Sequence, residues 1–159
     1  MREQKPPCCI ISTDRFTFGN NQKSIVIFAN PKNSNVAIEL VHISHANLSG
    51  APVIVDTYNC TKVLGDLTFT AQPVVENINC STCSGYQAKI AYGPGDVMDR
   101  CRHLLVRTLS PYQTYYEPVS NHRILTPGTN LVFSFETADP KCLATVSCGF
   151  MWCEKRLSR

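Results

Sequence analysis

The chain has 159 residues, the length of one ordinary domain, and its composition is that of a folded protein. Hydrophobic residues make up 43% and charged residues 17%. This is enough apolar surface to offset the entropy of ordering, so a wholly disordered chain is excluded. Fifteen Lys and Arg against twelve Asp and Glu leave a net charge of +3, scattered rather than gathered in a stripe, and we expect no nucleic-acid partner.

The amino-terminal residues and the apolar runs argue against secretion and membrane segments. Two prolines and two cysteines interrupt residues 1–11, where a secretory signal needs an unbroken apolar stretch. The longest purely apolar run, Ile25 to Ala29, is far shorter than the roughly 20 residues of a spanning helix. We therefore expect neither a signal peptide nor a membrane span.

Short runs of β-branched and aromatic residues, separated by turn-forming residues, recur along the chain and predict an all-β fold. In chain order the predicted strands are 16–18, 25–29, 36–44, 53–58, 67–70, 86–92, 103–109, 113–116, 131–136 and 143–152. Eight to ten short strands favour a jelly-roll β-sandwich over residues 16–154. An immunoglobulin-like sandwich is the alternative, but its expected Cys, Trp, Cys order is missing because the only tryptophan, Trp152, lies near the carboxyl end.

Alternating hydrophobicity gives three of these strands a predicted core face. Their polar neighbours, such as Gln87, Ser134 and Ser147, are expected on the opposite face. The residues predicted to share the core face are Tyr86, Ala88, Ile90 and Tyr92 in one strand, Leu131, Phe133 and Phe135 in the second, and Ala144, Val146, Cys148, Phe150 and Trp152 in the third.

Two tails are predicted outside the sandwich. Residues 1–15 show no strand signal before Phe16, and Pro6-Pro7 favours an extended segment. At about 3.3 Å per residue such an arm reaches some 40 Å, far enough to touch a neighbouring molecule. Residues 155–159 are short and basic, and we expect a solvated tail.

Nine cysteines are many for a reduced cytosol unless they bind metal or do redox chemistry. Metal binding, removal of a signal, and oxidation after the producing cell breaks open all remain open from the residues alone. An odd count leaves at least one sulfur for a partner chain or for none. Cys8 and Cys9 are adjacent, so they are expected to face different partners rather than each other: other subunits through the arm, or their own domain.

The pair Cys80 and Cys83 has the spacing of a redox pair or of half a zinc site. No helix is predicted there to activate a thiol, and a zinc site would have to add Cys148 and Cys153. Loop-stapling disulfides are the favoured role, and we expect no metal.

Other catalytic and ligand-binding patterns are missing or weak. His42 and His45 point to opposite faces of a strand, so they do not form a metal pair. Asp96 and Asp99 follow Gly95 in a turn and are expected to be solvated or capping groups. Without a nucleophile elbow, a phosphate loop or a zincin motif, we expect no enzyme and no cofactor.

Several turn and strand motifs together span most of residues 16–154. They are Phe18-Gly19-Asn20, Asn30-Pro31-Lys32-Asn33-Ser34 with the strand after it, Asn47-Leu48-Ser49-Gly50-Ala51-Pro52, Leu125-Thr126-Pro127-Gly128-Thr129-Asn130-Leu131, and Cys148-Gly149-Phe150-Met151-Trp152-Cys153-Glu154. This pattern resembles an uncharacterised domain family of spore-forming Firmicutes. The resemblance implies a fold and names no activity.

The placement of Cys8 and Cys9 on an arm ahead of a small cysteine-bearing jelly roll is similar to that in endospore appendage (Ena) fibre subunits. In those subunits the arm is disulfide-linked to preceding subunits, and only Cys8 and Cys9 match by position. The resemblance implies a spore-surface or extracellular appendage protein. Such a protein is made in a mother cell without secretion and is oxidised as that cell lyses.

The first hypothesis is therefore a structural subunit of a disulfide-cross-linked filament. It would form a homopolymer through head-to-tail sandwich contacts and arm exchange, with a spore-coat or exosporium anchor protein as a further partner. The expected intermolecular disulfide cysteines are Cys8 and Cys9 of the arm with Cys101, Cys148 and Cys153 as acceptors. The expected intramolecular staples are Cys60, Cys80, Cys83 and Cys142.

Two other functions remain open. One is a monomeric binding module or adhesin, carbohydrate-binding or coat-associated, in which Tyr112, Tyr115 and Tyr116 supply a sugar platform. The other is a zinc-binding β-domain. Non-reducing gel electrophoresis separates assembly from a monomeric module.

Overall fold

A computed structural model describes residues 8–61, 85–97 and 101–158, apart from the side chains of residues 118–122. These residues form ten strands and no helix, which confirms the predicted all-β class. The strands are β1 (Cys8–Ser12), β2 (Phe16–Gly19), β3 (Ser24–Ala29), β4 (Val36–Asn47), β5 (Val53–Cys60), β6 (Lys89–Pro94), β7 (Arg102–Leu109), β8 (Thr114–Leu125), β9 (Asn130–Thr137) and β10 (Leu143–Arg156).

The strands form two antiparallel sheets that pack face to face. The first sheet has the order β1-β10-β4-β8, with β2 beside β10 as well, and the second has the order β6-β3-β9-β5-β7. From β2 to β5 and again from β7 to β10, each strand lies in the other sheet from the one before it. That connectivity is a jelly roll, with β6 added at the outer edge of β3.

The core lies between the sheets and follows the predicted alternation. All the predicted core-facing residues of β9 and β10 belong to one buried apolar cluster, as does Ile90, and the partly buried Tyr86, Ala88 and Tyr92 pack against it. Trp152, Phe133, Phe135 and Phe150 are its largest fully buried members, together with Phe28 of β3. Burying each such side chain contributes about 1.5–3 kcal/mol relative to leaving it exposed.

Strand β3 is buried on both faces. Val26 and Phe28 point into the main core, whereas Ile25, Ile27 and Ala29 belong to a second apolar cluster on the outer face of the second sheet. This two-sided burial explains why the longest apolar run of the sequence is a strand without polar alternation.

The amino-terminal segment differs from the predicted free arm. Residues 8–12 form β1, which pairs antiparallel with residues 149–153 of β10 in the same chain. The bend between β1 and β2 is also held, because the amide of Thr13 donates to the carbonyl of Cys148 at 2.8 Å, and the Thr13 hydroxyl accepts from the amide of Cys148 at 2.9 Å. The described part of the arm is thus an edge strand of its own sandwich.

Two other strand ends differ from the sequence prediction. Strand β10 continues to Arg156, so the first two residues of the predicted basic tail lie in the sheet, opposite Val36 and Ala37. Strand β8 is 12 residues long although it contains Pro118, because in the described residues it pairs only with β4 and an edge strand tolerates a missing amide. The strand predicted at 67–70 lies outside the described residues.

Candidate functional site

The sheet edge formed by β1 and the end of β10 carries the cysteines on which the sequence hypothesis depends. Cys8 and Cys153 are directly opposite each other in the register, and they form a disulfide with Cα atoms 4.3 Å apart. Cys9 lies opposite Trp152, is 1% exposed and is also disulfide-bonded. The two adjacent cysteines therefore do face different partners, as expected from their strand geometry.

The disulfide of Cys8 corrects the prediction that this cysteine and Cys153 bond to neighbouring subunits. In the folded chain they bond to each other, and Cys9 lies in the core of its own domain. The physical reason is the pairing of β1 with β10, which brings together residues that are 145 positions apart in sequence. No local sequence pattern in residues 1–15 indicates that this segment pairs with β10.

Cys60 and Cys101 form the second described disulfide, with Cα atoms 4.5 Å apart. Cys60 ends β5, and Cys101 directly precedes β7, which pairs with β5 from Asn59 and Arg102 onward. The bond therefore closes the base of the long excursion between two neighbouring strands. The staple predicted for Cys60 is confirmed, whereas Cys101 is its partner and not an intermolecular acceptor.

Cys142 and Cys148 are free thiols, which corrects both of their predicted disulfides. Cys142 is half-buried in the turn between β9 and β10, where its amide donates to the carbonyl of Asp139 at 3.0 Å. Its carbonyl receives the amide of Asn20 at 3.4 Å. The backbone of this turn is thus fixed, and Cys142, half-buried as a whole residue, packs against the edge of the main core.

Cys148 is buried in the core and cannot meet another chain without unfolding. Its sulfur lies 3.4 Å from Nδ1 of His45, the residue opposite it on β4. Burial raises the pKa of the Cys148 thiol and, with the charge of Arg107 as the second cause, lowers the pKa of His45 to about 4. Both groups are therefore neutral at pH 7, and the pair is not an activated thiolate and imidazolium.

The remaining predicted ligands do not come together. His42 is half-exposed against the ring of Tyr116, on the opposite face of β4 from buried His45, as predicted. In residues 8–61, 85–97 and 101–158 no three His, Cys, Asp or Glu side chains are placed to hold a metal ion. Cys80, Cys83 and Asp99 lie outside the described residues, and Cys153 is a disulfide partner rather than a zinc ligand.

The tyrosines proposed as a sugar platform face different directions. Tyr112 is 75% exposed in the turn before β8, and Tyr116 is 61% exposed on the outer face of the first sheet. Tyr115 points inward, under the guanidinium of Arg107 at 4.3 Å from its ring centroid. No single surface of these three rings is available to stack on a sugar.

Glu154, which no sequence pattern singled out, fixes the segment before β6 to the end of β10. Its carboxylate accepts the amides of Gln87 at 2.9 Å and Ala88 at 2.8 Å, and the indole N–H of Trp152 at 3.3 Å. The signal available in the sequence was a carboxylate two residues after a core tryptophan on one strand. That signal cannot identify amide donors from the segment before β6, which is more than 60 positions away in sequence.

Comparisons with known proteins give no identity for the chain. No family model, no curated protein and no solved structure matches it. The described part of the chain contains no helix that could cross a membrane.

Proposed function

We propose that the protein is a structural subunit, a disulfide-hardened jelly roll that assembles with copies of itself on a spore surface or in an extracellular appendage. The observation that carries the proposal is the state of its cysteines. Two of its disulfides fasten strand ends, and within the described residues one half-buried cysteine, Cys142, is left as a free thiol.

The disulfides support an oxidising destination. Such bonds persist outside the reducing cytosol and are typical of surface and extracellular proteins. They also support a role in which persistence matters, because Cys8–Cys153 fastens a short terminal strand that would otherwise fray from the sheet edge. The resemblance to proteins of spore-forming bacteria makes the spore surface the proposed location, and it stays a prediction.

The two open edges of the second sheet provide the non-covalent contact. Within the described residues, β7 pairs only with β5 and β6 only with β3, so the second sheet ends in two strands with one unpaired side each. Leu104 and Val106 of β7 are 37% and 58% exposed, which is unusual for an edge left in solvent. A contact between β7 of one copy and β6 of the next is heterologous and continues as a filament unless it closes in a ring.

Cys142 can link two subunits, but no more than two, by a disulfide. Two Cys142 thiols from two copies form one disulfide when they lose two electrons and two protons to an oxidant such as dioxygen. This joint links subunits in pairs, so by itself it gives a covalent dimer and not a ladder. A longer covalent ladder requires Cys8 to bond to Cys153 of another copy through exchange of β1.

The test is electrophoresis of oxidised protein in detergent with and without reductant, for the wild type and for Cys142→Ser. We expect a reductant-sensitive dimer in the wild type and its loss in the variant. Cys148→Ala is the matched control, because it removes the other free thiol of the described residues, which is buried, and should leave the dimer. Electron microscopy of the concentrated wild type should show oligomers or filaments.

Mixing ¹⁴N- and ¹⁵N-labelled chains before oxidation distinguishes the joints. Mass spectrometry of peptides joined through Cys8 and Cys153 should show only same-label pairs if β1 stays in its own sandwich. Mixed-label pairs, together with a ladder of covalent oligomers that persists in Cys142→Ser, would show that the covalent link between chains forms through exchange of β1. A wild type that stays monomeric under every condition contradicts assembly and favours the monomeric binding module.

A further inference from the structure

Three charged side chains point into the sandwich at the side where β7 and β8 form the edges of the two sheets. Arg107 lies opposite Val55, Glu117 opposite Ile43, and Arg123 opposite Leu40. All three of these partners are core residues, and directly paired residues share one face of a sheet. The charges therefore close the open side of the apolar core.

Both arginines bind the same carboxylate oxygen. Nη2 of Arg107 lies 3.3 Å and Nη2 of Arg123 lies 3.4 Å from Oε1 of Glu117. Arg107 also donates to the hydroxyl of Tyr115 and lies over its ring. Among the described side chains, two cations therefore share one anion, and these three side chains together carry one excess positive charge.

Two nitrogens of this group have no hydrogen-bond acceptor. Nε of Arg107 and Nη1 of Arg123 are buried and unpaired. A buried donor without a partner loses its hydration without compensation, and the loss is greater for a charged group. No other buried side-chain nitrogen or oxygen in the described ranges is left unpaired in this way.

Closing the sandwich edge does not by itself account for the second arginine. Inward-pointing charges do protect sheet edges from unwanted pairing, and one Arg–Glu pair would serve that purpose without orphaned donors. The excess charge also acts on its surroundings, since the charge of Arg107 contributes to the lowered pKa of His45. In the described part of the chain, the two arginines therefore have one carboxylate between them.

We propose that Arg107 and Arg123 form a binding site for a small oxyanion of the phosphate, sulfate or carboxylate class. Guanidinium groups match the oxygens of such anions through paired N–H donors. Access is available from the edge, because the side chains of Arg107 and Arg123 are 29% and 26% exposed. The anion neutralises the excess charge and accepts the orphaned N–H groups, after a small rotation of the guanidiniums.

The test is titration of the wild-type protein with inorganic phosphate, followed through the Nε–H resonance of Arg107 by NMR. We expect a saturable shift of that resonance, whereas sodium chloride at equal ionic strength should give none. Because this readout uses the wild type, it does not depend on any variant's folding. Titration with acetate separates the sources: comparable acetate binding assigns the site to carboxylates, as on a neighbouring chain, and preference for phosphate assigns it to tetrahedral anions.

Variants locate the site. Arg123→Gln should weaken phosphate binding at least tenfold. Arg123→Lys, which keeps the positive charge but lacks the paired N–H donors of a guanidinium, should weaken it less. Arg102→Gln is the matched control, since Arg102 is an exposed arginine on the same strand as Arg107, and its affinity should equal that of the wild type. A linear, non-saturable response, an equal response to chloride, or equal weakening by Arg102→Gln would overturn the proposal.

Discussion

Acidification is expected to destabilise the protein through the buried imidazole of His45. This side chain is 1% exposed and packs edge-on against Phe133 and Phe135, with ring centroids 4.9 Å and 5.6 Å away. Burial first, and the charge of Arg107 second, lower its pKa from 6.5 to about 4. The folded protein keeps the ring neutral at pH values where the unfolded chain has already taken up a proton.

The sign and size of the effect follow from this difference. Stabilisation by the neutral His45 is complete above pH 6.5 and is lost as the pH falls through about 4, because only the unfolded chain is protonated in between. One unit of pKa corresponds to about 1.4 kcal/mol, so linkage predicts a loss of about 2 kcal/mol between pH 8 and pH 5, and about 3 kcal/mol by pH 4.

Urea unfolding with the disulfides intact, at a series of pH values, measures this loss directly. His45→Gln removes the titrating group, so its free energy of unfolding should be lower at pH 8 but should fall about 2 kcal/mol less than that of the wild type by pH 5. His42→Gln, on the half-exposed face of the same strand, should keep the wild-type slope. An unchanged slope in His45→Gln would refute the assignment of the neutral ring to His45.

Two further predictions concern the backbone and the second disulfide. Gly19→Ala should lower the free energy of unfolding by about 3 kcal/mol or more in the same urea assay. The reason is that Gly19 has a φ of 125° and that a Cβ there would lie 2.0 Å from the carbonyl oxygen of Cys142. Gly93→Ala is the control and should change stability little, because no atom lies within 4 Å of the Cβ it would add. Cys60→Ser should lower the free energy of unfolding by up to about 4 kcal/mol, from the loop-entropy relation for a separation of 41 residues. A decrease no larger than that of a serine substitution on the surface would contradict a closed Cys60–Cys101 bond.

The fold was largely predictable because its signals are local. Alternation of apolar and polar residues in β9 and β10 assigned Phe133, Phe135, Phe150 and Trp152 to the core, and the structure confirms each. Turn-forming residues separated enough short strands to indicate a jelly roll. These signals are carried by neighbouring residues, so no knowledge of distant pairing is needed to interpret them.

The cysteine partners were not predictable because they depend on distant pairing. Strand β1 has five residues, too few to show a clear pattern after Pro6-Pro7, and it forms because β10 presents an unpaired edge to it. Only that register places Cys8 opposite Cys153. The free state of Cys142 follows in the same way, since its position depends on how two turns of the sandwich meet.

Strand alternation nevertheless limits which sulfurs can ever join two molecules. Cys148 and Cys153 are five residues apart on β10, so they point to opposite faces, with Cys148 in the core and Cys153 bonded to Cys8 outside it. Cys9 is in the core for the same reason. Among the cysteines of the described residues, the routes to a covalent polymer that leave the sandwich closed therefore include Cys142 and transfer of the Cys8–Cys153 bond to a neighbour by exchange of β1. A scheme that joins chains through Cys9 or Cys148 first has to open the sandwich.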